Sequence, residues 1–279
     1  MRRRVIGFLA AILAGGAGLA DAQTLDRRGL RLVFEEAFSR LDLRSPAHPD
    51  GRWDTKYHFG GRSLPTNGEL ELYVDPDFLD LGLNPFSAGA DALGITADRS
   101  PDGLLGRLGG HPYISGLLTS EHSFAQTYGY FEIRARLPAG KGLWPAFWLL
   151  PVSREWPPEI DVFEVLGDNP RRLYMTIHST RAKTAGFEAT VGDTSADFHD
   201  YGVLWTRQTI AWYFDGRRMA VAPTPADLHQ PMYLLINLAV GGRWPGAPDD
   251  ATRFPATMRV AHVRAYAIAD SVPASPIAK

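Results

Sequence analysis

The chain contains no cysteine. That absence excludes a disulfide brace, a thiolate nucleophile and any metal site built on sulfur. Net charge is scarce too: 29 Lys and Arg face 31 Asp and Glu, a formal charge of −2. No block of like charge interrupts the series, so nothing in the composition seeks nucleic acid. Beyond residue 22 there is no long apolar run, and no segment repeats its apolar residues at the helical period over a convincing length. What remains is a chain of 279 residues, 45% hydrophobic and 22% charged, long enough to build a sizeable core from packing alone.

The first residues read separately. Arg2, Arg3 and Arg4 precede the apolar run from Val5 to Leu19 and the small-residue site Ala20-Asp21-Ala22, the pattern of a secretory signal cleaved after Ala22. Arg2-Arg3-Arg4-Val5-Ile6 also fits the twin-arginine export pattern loosely. A membrane anchor is the weaker reading, because the run is interrupted by Gly and falls short of the ~20 residues a span needs. Without these three Arg and one Asp, the excess of acid widens to four. Secreted or periplasmic protein starting near Gln23 is therefore expected, with one domain over 23–270 and a loose Pro- and Ser-containing tail over 271–279.

Alternating segments bounded by Gly, Pro, Asn and Asp recur along this domain, which points to an all-β fold. Tyr128 to Leu137 is the clearest case. Phe131, Ile133, Ala135 and Leu137 share one face, expected in the core, and Tyr130, Glu132, Arg134 and Arg136 share a wetter one. Thr209–Phe214 and Arg217–Val221 flank Asp215-Gly216, a dipeptide suited to a two-residue hairpin turn. Leu173–Ser179, Met232–Val240 and Met258–Ile268 also read as strands. One sandwich of two antiparallel sheets is the economical architecture.

The stretch Pro157-Pro158-Glu159-Ile160-Asp161-Val162-Phe163-Glu164-Val165-Leu166-Gly167 then poses a chemical problem. On a strand Glu159 and Asp161 share a face and Ile160 enters the core, but Glu164 has the wrong parity to join the acids. A bulge at Val162-Phe163 resets the alternation and puts all three in a row. Like charges so close force a proton onto at least one of them. A glycosidase uses that arrangement: one carboxylate attacks or stabilises the anomeric centre and one neutral carboxylic acid protonates the leaving oxygen. A solvated acidic strand and a metal site are the plainer alternatives. The apolar flanks oppose the first, and a row along one strand cannot wrap an ion unaided.

Glu-Ile-Asp-Val-Phe-Glu at 159–164 resembles the bulge-containing signature of glycoside hydrolase family 16. Further matches occur in the same order at LVFEEAFS (32–39), GELELYVDP (68–76), YGYFEIRARLPAGKGLWPAFWLLP (128–151), WYFDG (212–216) and NLAVGGRWPG (237–246). The resemblance implies a β-jelly-roll sandwich, concanavalin A-like, with a glycan cleft on its concave face. It implies retaining, endo-acting cleavage of a β-glycan, with Glu159 as nucleophile, Glu164 as general acid/base and Asp161 tuning the pair. GLNPF (82–86) and YISGLLTSEHSF (113–124) resemble the branch acting on bacterial exopolysaccharides such as succinoglycan. Leu117 stands where many laminarinases of the family carry an Arg, which points away from ordinary laminarin specificity. In the last strand the family's calcium-binding Asp is replaced within Ala261-His262, so calcium is expected to be weak or absent, and no other cofactor is implied.

Seven tryptophans also suit a sugar-binding protein, since pyranose faces stack on aromatic planes, although many must serve the core. Trp144 and Trp148 share a face and are cleft candidates. Trp156, on a Pro-rich loop, and Trp244, after Gly241-Gly242, are rim candidates. His178 shares a strand face with Tyr174 and Thr176 and could bond a hydroxyl or an acid. Asn67, Glu69 and Asn237 match the family's glycan contacts, with turn formation the alternative for Asn67. The expectation is a monomeric, exported endo-β-glycanase acting on a 1,3- or 1,3-1,4-linked polysaccharide, with no nucleic acid partner and no stable membrane association. A transglycosylase would need the same residues; a non-catalytic carbohydrate-binding sandwich would not need three aligned acids.

Overall fold

A computed structural model describes residues 24–89 and 91–269. The expected export signal and the expected tail from residue 271 lie outside the described residues. No helix among the described residues is long and apolar enough to cross a membrane.

Two sheets make up the fold. The larger has ten strands and runs in the order Arg217–Pro223, Thr209–Phe214, His199–Trp205, Gly129–Arg136, Ala256–Ile268, Leu93–Arg99, Tyr113–Ser115, Glu71–Tyr73. Leu30–Glu36 pairs with Ala256–Ile268, and Phe86–Ser87 with Leu93–Arg99. The smaller has seven strands, ordered Ala185–Thr190, Arg172–His178, Glu159–Glu164, Leu143–Pro151, Met232–Val240, Leu117–Thr119, with Ala125–Gln126 also on Met232–Val240. Among these strands only Glu71–Tyr73 and Tyr113–Ser115 pair in parallel. The architecture is the two-sheet sandwich that the alternation implied, and the jelly roll that the family resemblance implied.

Period-two patterning explains how the sheets meet. Leu173, Met175 and Ile177 are each 1% exposed and face the core, while Tyr174, Thr176 and His178 between them point away from it. Phe131, Ile133 and Ala135 of the larger sheet share this core with Phe147, Leu149, Ile160 and Phe163 of the smaller. Phe163 packs on Tyr201 with ring centroids 4.4 Å apart. Trp53, Trp205 and Trp212 are fully buried, so three of the seven tryptophans belong to the interior. The Asp215-Gly216 turn forms as its composition demands, with φ of 48° and 74°.

The second face of Gly129–Arg136 departs from expectation, because Tyr130 and Glu132 are buried at 1% and 2% exposure. An arm covers them. The Leu25 amide donates to the Gly216 carbonyl at 2.8 Å, and Leu25 packs on Tyr130, Ala211 and Tyr213. Arg27 pairs with the Glu132 carboxylate and lies over the Tyr130 and Tyr266 rings. Alternation within one strand shows which residues share a face, not what a distant segment lays over it. The arm meets the end of the strand Ala256–Ile268 where the Ala269 amide donates to the Gly29 carbonyl at 2.8 Å.

Candidate active site

The outer face of the seven-stranded sheet carries the acids, and the register shows how they come into line. Asp161 stands opposite Trp148 on one neighbour and Thr176 on the other; Phe163 pairs with Phe147, and Glu164 with Ala146 and Tyr174. One extra residue, Val162, is accommodated between them. Val162 and Phe163 are both turned into the core, at 2% and 0% exposure, so the parity resets and Glu164 rejoins Glu159 and Asp161. The Trp212 indole, from the opposite sheet, donates to the Asp161 carbonyl at 2.8 Å. A buried carbonyl at the point where the ladder breaks needs such a partner.

Each outer acid receives an indole N–H. Trp156 donates to Glu159 Oε2 at 2.8 Å and Trp144 to Glu164 Oε1 at 3.0 Å. Asp161, only 2% exposed, lies between them. His178 Nε2 is 3.4 Å from Asp161 Oδ2 and 3.6 Å from Glu159 Oε1. Burial raises all three carboxyls, and repulsion adds to it. Glu159 is pushed well above the carboxylate range by burial and by Asp161. Asp161 is pushed up to about 6 by burial and by Glu164, against the pull of His178. Glu164 is pushed up to about 7 by burial and by Glu159. Burial works against charge on His178, but the nearby Asp161 carboxyl and the fields of the other two acids hold it at about 9. Near neutral pH the row therefore holds protons, with the His178 imidazolium offsetting part of its charge.

A cleft of about 510 Å³ lies over the row. Trp144, Trp148, Trp156, His178, Asn67, Glu69, Asn237 and Trp244 all line it together with the acids. Trp156 and Trp244 are 64% and 44% exposed, as rim residues are. Trp244 meets Trp144 edge-on at 5.5 Å and Tyr174 at 4.7 Å. It follows Gly241, whose φ of +74° lets the chain turn tightly against Leu70. Trp148 is nearly buried and donates to Asn237 Oδ1 at 2.8 Å, and the Asn237 amide donates to the Tyr73 hydroxyl at 3.0 Å. Leu117, fully buried, packs under this floor.

Sequence reasoning missed Tyr57, Phe59 and Arg154, which also line the cleft. Phe59 is 58% exposed and stacked on Tyr57, with centroids 5.3 Å apart. An aromatic pair followed by Gly60-Gly61 was the available signal. Arg154 is held by the buried Glu121 through a bond of 2.8 Å, a pairing with no local trace in the sequence.

Glu159, Asp161 and His178 each offer a ligand atom within 4.8 Å of the others, a set that could hold a cation. Ligation needs a neutral imidazole, so a cation there would have to displace the proton that the acids hold on His178 to about 9. On the other sheet, His262 Nε2 lies 3.8 Å from Glu132 Oε1.

A β-sandwich with a bulged strand that brings paired carboxyls to the floor of an aromatic-lined cleft has the architecture of a glycoside hydrolase. The family model for glycosyl hydrolases family 16 matches residues 83–261, and the chain belongs to that family. Two endo-1,3-1,4-beta-glycanases of Rhizobium meliloti (strain 1021), ExsH and EglC, are 41% and 45% identical over 251 residues, 88% of this chain. The chain spans about half of each, 53% of its length. The laminarinase catalytic domain of Thermotoga maritima MSB8 is 31% identical with a TM-score of 0.71, over 85% of this chain and 98% of that one.

Proposed function

We propose that the protein is an exported endo-β-glycanase that cleaves 1,3- or 1,3-1,4-linked glucan, or an exopolysaccharide of that linkage, with retention at the anomeric carbon. The row Glu159, Asp161, Glu164 carries this reading. Both outer acids are held by indole donors and lie under a cleft whose rim offers exposed rings to sugar faces.

Each residue then has one task. Glu164, protonated below about pH 7, gives its proton to the glycosidic oxygen as that bond breaks. Glu159 attacks the anomeric carbon from the other side and forms a glycosyl ester. Glu159 and Asp161 lie close enough for the charge of one to raise the other, so moving the Glu159 proton onto Asp161 frees Glu159 as the nucleophile. Glu164, now a carboxylate, takes a proton from water, whose oxygen displaces Glu159 from the anomeric carbon; the ester is cleaved and both acids return to their starting state. The positive His178 steadies the cluster while charge shifts along it.

The names of the Rhizobium relatives support the linkage class. The export element rests on Arg2 to Ala22. Incubating purified protein with laminarin, mixed-linkage glucan, a succinoglycan-type polysaccharide, agarose and carrageenan tests the reading. Oligosaccharides from a mid-chain cut of the first, second or third, with the β-anomer formed first by NMR, are expected. Initial α-product, or no product from any of the five, overturns it.

A further inference from the structure

A second pair of acids lies beside the row and has no part in bond breaking. Glu71 is fully buried. Its Oε2 accepts the Val240 amide at 2.7 Å, and its Oε1 has no hydrogen-bond partner if the group is a carboxylate. Glu69, two residues earlier and so on the same face of an extended segment, lines the cleft at 8% exposure. The oxygens of Glu69 are each occupied by one donor, the Leu64 amide and the Asn67 side-chain amide, both at 3.0 Å. Two carboxylates this close in a site this dry would repel strongly.

We propose that Glu71 is a positioning residue: it stays a neutral carboxylic acid and donates its Oε1 proton to Glu69, which thereby remains a fixed carboxylate acceptor for glycan hydroxyls. The orphaned oxygen is then a donor rather than an unsatisfied acceptor. The surroundings agree. From its own strand Glu71 meets Glu69 and Tyr73, and the Tyr57 ring packs edge-on to Tyr73. From Met232–Val240 come the Val240 amide and the Asn237 amide that caps Tyr73. None of these bears positive charge, and the guanidinium of Arg62 is engaged by Asp75 and the Tyr73 carbonyl. Burial and the charge of Glu69 push Glu71 well above the carboxylate range. Burial raises Glu69 less far, because Asn67, Glu71 and Leu64 donate to it. One negative charge shared by two carboxyls leaves Glu69 with three donors, at the edge of the cleft it lines.

The proposal rests on the glycanase reading for the identity of the ligand, but its protonation claim can be tested without one. Infrared difference spectra between wild type and Glu71→Gln at neutral pH should show the C=O stretch of a neutral carboxylic acid lost in the variant. For function, KM for the glycan that the wild type cleaves should rise on the alkaline side as Glu71 ionises. Glu71→Gln supplies a permanent donor from the same place and should abolish that rise. Glu71→Met supplies none and should raise KM about tenfold with kcat little moved, the loss of one hydrogen bond to a charged acceptor. No carboxylic-acid band assignable to Glu71, or an alkaline rise in KM that persists in Glu71→Gln, overturns the proposal. Absence of any cleavage by wild type overturns the glycanase reading instead and leaves the infrared result to decide this one.

Discussion

Replacing Trp212 by Phe tests whether the catalytic row is held in place from the opposite sheet. The indole is fully buried and its one N–H reaches the Asp161 carbonyl at 2.8 Å. Phe keeps a ring in the core but leaves that carbonyl unpaired, a loss of about 1–3 kcal/mol, and the missing ring atoms add about 1 kcal/mol as a cavity. Urea unfolding should therefore show a destabilisation of about 2–4 kcal/mol, or a Tm lower by roughly 5–15 °C for a domain this size. Trp205 provides the control, because it is equally buried in the same sheet and its indole N–H has no hydrogen-bond partner among the described residues. Trp205→Phe should reproduce the cavity contribution alone. The catalytic effect should separate the two more sharply. Small displacements of a reacting group can cost up to ~100-fold in rate, so kcat for Trp212→Phe should fall about 10- to 100-fold at a temperature where both variants are folded. Trp205→Phe should stay within about threefold of wild type. Equal kcat in the two variants would refute the reasoning and reduce the Trp212 contact to ordinary core packing.

Other outcomes follow from the same geometry. Glu159→Ala and Glu164→Ala should each lose several orders of magnitude in rate while remaining folded; azide should yield a β-glycosyl azide with Glu164→Ala, whose nucleophile survives, and an α-azide with Glu159→Ala, and reversed products would exchange the two roles. The alkaline limb of kcat/KM should fall near pH 7, where Glu164 loses the proton it must donate, and a rate flat from pH 6 to 9 would contradict this. Stability should fall as pH rises, because Glu164 and His178 are both raised and the folded state holds protons that the unfolded chain has released. The Glu164 part is lost between about 4.5 and 7 and the His178 part between about 6.5 and 9. His178→Gln should remove the second window from a series of urea midpoints, and an unchanged series would show that the His178 charge is not coupled to folding. EDTA should leave the initial rate unchanged, since Ala261-His262 lacks the expected calcium carboxylate; a complete, calcium-reversible loss would show that another residue supplies it.

The row of three acids was the most legible part of the molecule, and the reason is arithmetic. A period of two makes Glu164 conspicuous by parity, and apolar flanks force a bulge as its remedy, so a local rule was enough to locate Val162-Phe163. Asp215-Gly216 was legible for the same kind of reason. The strands Thr209–Phe214 and Met232–Val240 begin and end where alternation and turn residues place them. Contacts between distant segments were not legible. Nothing near Glu132 announces Arg27, and nothing near Arg154 announces Glu121. The bond from Trp212 to Asp161 crosses the whole core. Trp148 shows the intermediate case: its strand face could be read, but its near burial depends on Tyr57 and on the Asn237–Tyr73 link. Glu71 carries no signal within GELELYVDP, because its proposed role depends on an oxygen left without a partner, which only coordinates reveal.

The arm that begins at Thr24 and the strand that ends at Ile268 lie side by side on the sheet opposite the cleft, joined by the Ala269–Gly29 bond. The junction of Gly29 and Ala269 therefore lies on the side of the molecule away from the acids. A surface tether, a binding module or a fluorescent partner inserted at that junction would leave the cleft facing outward.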